Sequence, residues 1–445
     1  MSQVTGRVRL FPLSLLWKLT RDPLSFLSEL HRRQGSFVAI RSGPRPIYSI
    51  SEPELIREVL VTQGPSFAKG RGLELAKAVL GEGLLTSDQE LHRRQRRLVQ
   101  PAFQRNRLEH YARVMVATTL ELQSSWRNGE VRDLARDMTD LSLEIVTRTM
   151  FGSSLGARRA LFLEALHLAV DRFQVGLIPI MGLLEKLPLP SNRRFQQAVA
   201  RLDAVLLELI QQRRQQPPGD DMLYLLMSAA EEGRGMSDRQ LRDEAMTLFL
   251  AGHETTASAL GWTVALLGAH PDWLQRACQE ADEVLAQRPA DYADVPRLPI
   301  CQGIWLESMR LFPPAWMTGR KCITAVSLGG EGIIPGSILI LPQWVTHRQD
   351  AYFPQAQLFL PDRWQGPAPP RFAYFPFGGG ARVCIGEQFA RAEGVLILAS
   401  LLQHWTFRPI NRGLPRPVPR VTLQPLGGVK VLLRSRTCGD PVRSR

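Results

Sequence analysis

A glycine-rich run, Phe377-Gly-Gly-Gly380-Ala-Arg382-Val-Cys384-Ile-Gly386, stands just before an apolar segment that reaches His404. A cysteine so placed lies where a loop feeds a helix N-terminus, and free backbone N–H groups and the helix dipole there favour an anionic sulfur. Arg382, two residues away, adds positive charge. Such a site suits a thiolate bound to a metal, or alternatively a nucleophilic cysteine. The other four cysteines, Cys278, Cys301, Cys322 and Cys438, are widely spaced and form no Cys-x-x-Cys pair. They give no support to a zinc ribbon, a thioredoxin-like redox site or a disulfide framework, and read as small buried hydrophobes.

A second constellation, Ala251-Gly252-His253-Glu254-Thr255-Thr256, interrupts an otherwise apolar stretch. Thr and Glu inside a helix can be satisfied locally, but a carboxylate at the centre of a buried helix is costly unless paired. His253-Glu254 opens a His-Glu-x-x-His zinc pattern, yet position 257 is alanine and the pattern fails. Glu307 and Arg310 share a helix face by their spacing of three, with Arg363 and Trp364 downstream. Arg93, Arg94, Arg96 and Arg97 form a dense basic knot beside His92.

The run from Phe377 to Gly386 resembles Phe-x-x-Gly-x-Arg-x-Cys-x-Gly, the haem-binding loop of the cytochrome P450 superfamily, at all five fixed positions. The resemblance implies that Cys384 is the axial ligand to the iron of haem b and pushes electron density onto it. Phe377, Arg382 and Gly386 would complete the cofactor's loop, whose amides tune the sulfur. The run at 251–256 resembles the superfamily's oxygen-binding stretch. Thr255 would hold water and dioxygen by hydrogen bonds, Glu254 would relay protons, and Gly252 would leave room for the ligand. Glu307, Arg310 and Arg363 resemble the family's buried charge network, which implies a folding role and no part in the chemistry. The basic run before Pro101-Ala-Phe103 resembles the Trp-x-x-x-Arg helix, with His92 where Trp often stands. His92 and Arg96, with Arg320 and Arg382, would then bind the haem propionates. Arg93, Arg94 and Arg97 are left for docking an acidic ferredoxin. The resemblance runs from about residue 37 to Gly427-Gly428, with its motifs in the expected order.

These residues need elements to hold them. Phe37–Ile40 and Ile47–Ile50 read as a hairpin, and Pro53 opens a helix to Val61. Further helices are expected from Glu90 to about Phe103, from about Arg107 to Met150 with a break near Asn128-Gly129, and from Asn192 to Arg214. Ser237-Asp-Arg-Gln240 is a capping-box pattern opening a long helix toward Ala269, stopped by His270-Pro271. It would span on the order of 50 Å and cross the whole domain. After Leu311, Pro313-Pro314 ends a helix, and Ile323–Leu328 and Ile338–Leu341 read as strands. A last helix is expected from Gly386 to about His404. Helices first, then mixed strand and helix, indicate a mainly α (α+β) fold, a large helical part with a smaller β-rich part around a buried haem. Without an internal repeat or a linker-like segment, residues 1–445 read as one domain with no fused reductase.

The formal charge is +13, from 55 Lys+Arg against 42 Asp+Glu. No nucleic-acid signature accompanies it, and a solvated basic surface explains most of it. The apolar run Leu10–Leu16 is far short of the roughly 20 residues that span a bilayer, and no signal peptide is evident. The expectation is a soluble, cytoplasmic monomer with no integral membrane anchor. It would take a lipophilic small molecule, O2 and electrons from a separate ferredoxin or flavodoxin-type donor with a reductase, in secondary metabolism. Terpenoid, carotenoid and fatty-acid substrates are all open, with isoprenoid or elongated lipids favoured. Leu73–Leu85, the apolar segment 175–190, Leu248, Ala251, Ala315–Thr318 and Pro425–Gly427 are candidates to line the substrate space. Glu74, Lys77, Glu82, Glu185 and Lys186 are the charges that could turn inward. Two rivals stand beside this reading: a peroxide-using or rearranging haem-thiolate enzyme, which would not need Glu254 and Thr255, and a non-catalytic haem or gas-binding protein.

Overall fold

The computed structural model describes residues 3–176, 189–231 and 233–437. The segment 177–188, which holds most of the expected 175–190 access lip together with Glu185 and Lys186, lies outside the described residues, as does Cys438.

The N-terminal third sets helices against a sheet. Helices α1 (Pro12–Arg21), α2 (Pro23–Gln34), α3 (Pro53–Arg57), α4 (Arg71–Leu80) and α5 (Gln89–Val99) alternate with strands β1 (Gly6–Arg9), β2 (Phe37–Arg41), β3 (Ile47–Ile50) and β4 (Phe67–Lys69). The hairpin β2–β3 forms in the expected place, with Phe37 opposite Ile50. Pro53 occupies the first turn of α3, where no N–H is missed, and the helix continues as a π turn over Glu58–Thr62.

The middle is helical: α6 (Arg105–Ser124), α7 (Leu134–Phe151), α8 (Arg159–Gly176), α9 (Pro190–Arg214), α10 (Met222–Ser228), α11 (Asp238–Ala269), α12 (Pro271–Leu285) and α13 (Pro299–Leu311). The break between α6 and α7 holds β5 (Val131–Asp133), and the Asp133 side chain caps α7 by accepting from the Ala135 N–H. A two-residue hairpin, β6 (Ala230–Glu231) with β7 (Arg234–Gly235), precedes α11.

Helix α11 is the 32-residue central element, capped by the Ser237 hydroxyl, which accepts from the Gln240 N–H. It is buried nearly all round, so its polar groups need partners. The Ser258 hydroxyl and the Trp262 indole N–H both donate to the Leu423 carbonyl, at 2.6 and 2.7 Å. Trp262 also stacks flat on Phe312 at 3.8 Å.

The C-terminal part carries β8 (Thr318–Cys322), β9 (Val326–Leu328), β10 (Glu331–Ile333), β11 (Ile338–Leu341), helices α14 (Gln343–Thr346) and α15 (Glu387–His404), then β12 (Trp405–Pro409), β13 (Pro417–Pro419), β14 (Leu423–Pro425) and β15 (Lys430–Ser435). The main sheet has six strands in the order β1-β2-β3-β11-β8-β4. Sequence pattern places a strand at Ile323–Leu328, but the strand that completes this sheet is β8. Its polar residues conceal it: Thr318-Gly-Arg-Lys-Cys322 owes its conformation to the ladders with β11 and β4 rather than to apolar alternation.

Candidate active site

The glycines of the cysteine loop are required by space. Gly380 has φ 67°, and a Cβ there would lie 1.9 Å from the Leu60 carbonyl oxygen. Gly379 packs on Phe372, where a Cβ would meet the ring at 2.4 Å. The loop closes when the Cys384 N–H donates to the Phe377 carbonyl at 2.9 Å. Cys384 is therefore presented at the entry to α15, whose first residue is Glu387. Gly386 is not demanded by crowding, since a Cβ would make only ordinary contacts with Phe103 and the Cys384 sulfur. Its contribution is a backbone N–H that bonds the sulfur. Arg391 covers the Phe377 ring, with its guanidinium 5.3 Å from the ring centre.

Cys384 differs from the other described cysteines. Cys278, Cys301 and Cys322 are buried, whereas the Cys384 side chain is open although protein surrounds it closely, so it lines an internal space. Burial pushes its thiol up to about 11, with Glu387 adding to the rise and the Gly386 N–H and Arg96 opposing it. Arg382 is turned away, donating to the Ser87 carbonyl at 2.6 Å and to Asp88 at 2.5 Å. A sulfur held this way is a poor free nucleophile and becomes anionic when a cation binds it.

Basic side chains gather beside it. Arg96 donates to the Val383 carbonyl at 2.8 Å, and Arg320 to the Gly319 carbonyl at 2.9 Å. Burial, then Arg382, brings Arg320 down to about 10. His92 is buried, and desolvation followed by Arg382, Lys69 and Arg96 lowers it to about 3. The imidazole is therefore neutral and can offer an N–H to an anionic group. The structure thus brings His92, Arg96, Arg320 and Arg382 into one recess, with Asp88 as the acid paired to it.

On α11, Ala251 and Thr255 are exposed in the middle of a helix that is otherwise mostly buried. Their spacing of four puts them on one open stripe of the helix. The Thr255 hydroxyl donates to the Ala251 carbonyl at 2.5 Å. Glu254 faces another way, into a cavity of about 330 Å3 that also touches Arg136, Thr139, Arg420 and Gln424. Gly252 does not leave room for a ligand, as expected from the sequence. A Cβ there would sit 2.9 Å from a Val146 methyl of α7, so the glycine admits helix packing.

The Glu307–Arg310 pair is fully buried. Arg310 forms two bonds of 2.8 Å to Glu307 and also donates to the carbonyls of His347, Ala356 and Leu358. Glu307 further accepts from the Leu360 N–H, Arg363 and the Trp364 indole, each at 3.0 Å. Every one of these contacts pins chain leading into the cysteine loop, and none reaches the open interior.

A family model for cytochrome P450 matches residues 6–431. The chain belongs to the cytochrome P450 family. Among its relatives is cyclooctatin synthase of Streptomyces melanosporofaciens, 40% identical over 413 residues, which cover 91% of this chain and 90% of the relative. Cyclooctat-9-en-7-ol 5-monooxygenase of the same organism is 36% identical, covering 88% and 86%. Pentalenene oxygenase of Streptomyces avermitilis is 34% identical, covering 95% of both chains.

A P450 monooxygenase depends on haem iron, and the residues present fit that group. An open thiol stands beside a half-buried cationic recess that holds a single carboxylate, an arrangement that suits an anionic ligand. Among the described residues no cluster of three His, Cys, Asp or Glu could hold a bare metal ion instead.

Four residues of this P450's site escaped sequence reasoning. Lys69 is buried, and its ammonium donates to the carbonyls of Leu84 (3.1 Å), Leu85 and Ser87 (2.7 Å). Asp88 holds Arg382. Glu244, at 0% exposure, accepts from the Leu84 N–H at 2.9 Å. Glu393 on α15 is buried beside Thr256, and desolvation raises its carboxyl to about 8 against the Thr256 hydrogen bond. Only Glu393 left a trace, as a lone acid in an apolar run. Of the charges considered for the substrate space, Glu74 pairs with Lys321 and Lys77 with Glu82, all substantially exposed. Leu248 is buried in the core, while Leu85 and Met317 remain open.

Proposed function

We propose that this P450 hydroxylates or epoxidises a terpenoid-type lipophilic molecule in secondary metabolism. It would act in the cytoplasm, as a monomer and a single domain, with electrons from a separate ferredoxin or flavodoxin-type donor and its reductase. The observation that carries the reading is the pairing of an open Cys384 beside a cationic recess with an open Ala251–Thr255 stripe on the central helix. Haem bound through Cys384 supplies activation of dioxygen and transfer of one oxygen atom. Arg96, Arg320 and Arg382 would hold its propionates as cations, with His92 as a neutral donor beside them.

Thr255 spends its proton on the Ala251 carbonyl, so its oxygen is left to accept a bond from a proton-carrying water. Glu254, touching a polar cavity, takes up protons on the side away from that stripe and returns them inward. The substrate class is supported by the names of two relatives, a cyclooctat-9-en-7-ol 5-monooxygenase and a pentalenene oxygenase, whose named substrates are an alkenol and an alkene. It is also supported by the surface pairing of Glu74, Lys77 and Glu82, which removes them as anchors for a polar substrate. Arg93 and Arg97 are exposed on α5 and offer a docking face to an acidic donor.

Spectral titration of the holoprotein with cyclic terpene alkenes and alkenols against straight-chain fatty acids tests the substrate class. The terpenoids should shift the Soret band at lower concentration, and a preference for fatty acids would overturn the assignment. With the best ligand, Glu254→Gln and Thr255→Ala should keep the shift but divert reductant into hydrogen peroxide. Unchanged coupling in both variants would remove these residues from the proton path.

A further inference from the structure

The N-terminal helix has an apolar face that none of the described residues covers. In α1, Leu15 alone is buried. Phe11 at its entry is 84% exposed, Leu13 79% and Trp17 54%. Leu13 and Trp17 are four apart and share a stripe, and Phe11 lies at the same end. Three large apolar side chains left open within seven residues are unusual, because soluble surfaces scatter such groups singly.

The surrounding charge has one sign. Residues 1–21 contain Arg7, Arg9, Lys18 and Arg21 and no Asp or Glu. Arg7 is taken by Glu331 across the sheet edge. Arg9, Lys18 and Arg21 make no ion pair with a described carboxylate, and the next acid, Asp22, is engaged as a cap by accepting from the Ser25 N–H. Arg21 lies over the Trp17 ring, 5.0 Å from its centre, so a cation stands on the aromatic that faces outward. Lys18 covers the inner Phe26 ring at 5.7 Å.

An apolar stripe of Phe, Leu and Trp flanked by Lys and Arg is the arrangement that lies flat in a lipid interface, with aromatic bodies among the acyl chains and cations at the phosphates. We propose that α1 docks this protein peripherally on an anionic bilayer. The helix is 10 residues long, and among the described residues no helix is long and apolar enough to cross a membrane. The contact is therefore an in-plane one, strengthened by negative lipid headgroups and weakened by salt. A second copy of the chain is a poor occupant, since Arg9, Lys18 and Arg21 would face their own counterparts across a two-fold interface. The proposal does not depend on the substrate assigned above.

The test is co-sedimentation of the haem-loaded protein with vesicles of phosphatidylglycerol and phosphatidylcholine, against vesicles of phosphatidylcholine alone. The wild type should pellet with the anionic vesicles, less so at high salt. Phe11→Ser/Leu13→Ser/Trp17→Ser should lower the partition coefficient by roughly tenfold or more. Arg9→Gln/Lys18→Gln/Arg21→Gln should remove the preference for anionic lipid. An unchanged reduced-CO spectrum shows that each variant is folded around its haem. Failure of the wild type to pellet, or equal pelleting by the apolar triple variant, overturns the proposal. So does light scattering that finds a dimer which the apolar variant dissociates, because the face would then belong to a second copy.

Discussion

Glu244 offers a sharp test of how the loop beside the haem space is held. One carboxylate oxygen accepts from the Leu84 N–H, and the other has no hydrogen-bond donor among the described residues. Burial pushes this carboxyl up to about 7; the Leu84 bond opposes that rise, the neighbouring Asp243 adds to it, and Lys69 opposes it. In the unfolded chain the group titrates near 4.5. Between those values the folded protein binds the extra proton, so stability falls as pH rises from about 4.5 to about 7. Above that window the full cost of holding a buried charge applies, about 3 kcal/mol from the ratio of the two constants. Glu244→Gln keeps the acceptor for Leu84 and cannot ionise. Its unfolding free energy should match the wild type near pH 5 and exceed it by about 3 kcal/mol at pH 8. Urea unfolding of the holoprotein at pH 5, 6, 7 and 8, followed by the Soret band and by ellipticity, measures this. A constant difference between variant and wild type across that range would refute the reasoning.

Three further outcomes are expected. Glu307→Ala leaves the Arg310 guanidinium charged and unpaired at zero exposure, so it should destabilise by about 3–5 kcal/mol or yield little haem-loaded protein; urea unfolding within 1 kcal/mol of wild type, to order of magnitude, would count against the bracing role. Lys69→Met strips the carbonyls of Leu84 and Leu85 of their buried donor and leaves that of Ser87 to Arg382, costing about 1–3 kcal/mol, and should speed haem transfer to apomyoglobin; an unaltered transfer rate would mean the loop is held otherwise. Gly252→Ala drives a methyl to 2.9 Å from Val146 and should cost about 1–3 kcal/mol, with Val146→Ala restoring most of it in a double-mutant cycle read by thermal unfolding.

The cysteine loop, the central helix and the Glu307 network were legible in the sequence because each is a local pattern with a local physical cause. Gly380 is demanded by a carbonyl oxygen, and Ser237 by a helix start. Features made by distant segments were not legible. The strand Thr318–Cys322 exists through its two neighbours, and Lys69 matters through carbonyls 15 to 18 residues away. Asp243 and Glu244, in the first part of α11, hold backbone N–H groups of the 82–84 loop, some 160 residues away in the chain. Gly252 was visible as a small residue, but the sequence could not tell which neighbour its smallness serves.

The central claim is that Cys384 carries the haem iron. The most direct measurement is the absorption spectrum of the ferrous CO complex of the wild type and of Cys384→His. The wild type should show the strongly red-shifted Soret band of a thiolate-ligated haem, and the variant should lose it while still binding CO. A red-shifted band that persists unchanged in Cys384→His would contradict the assignment.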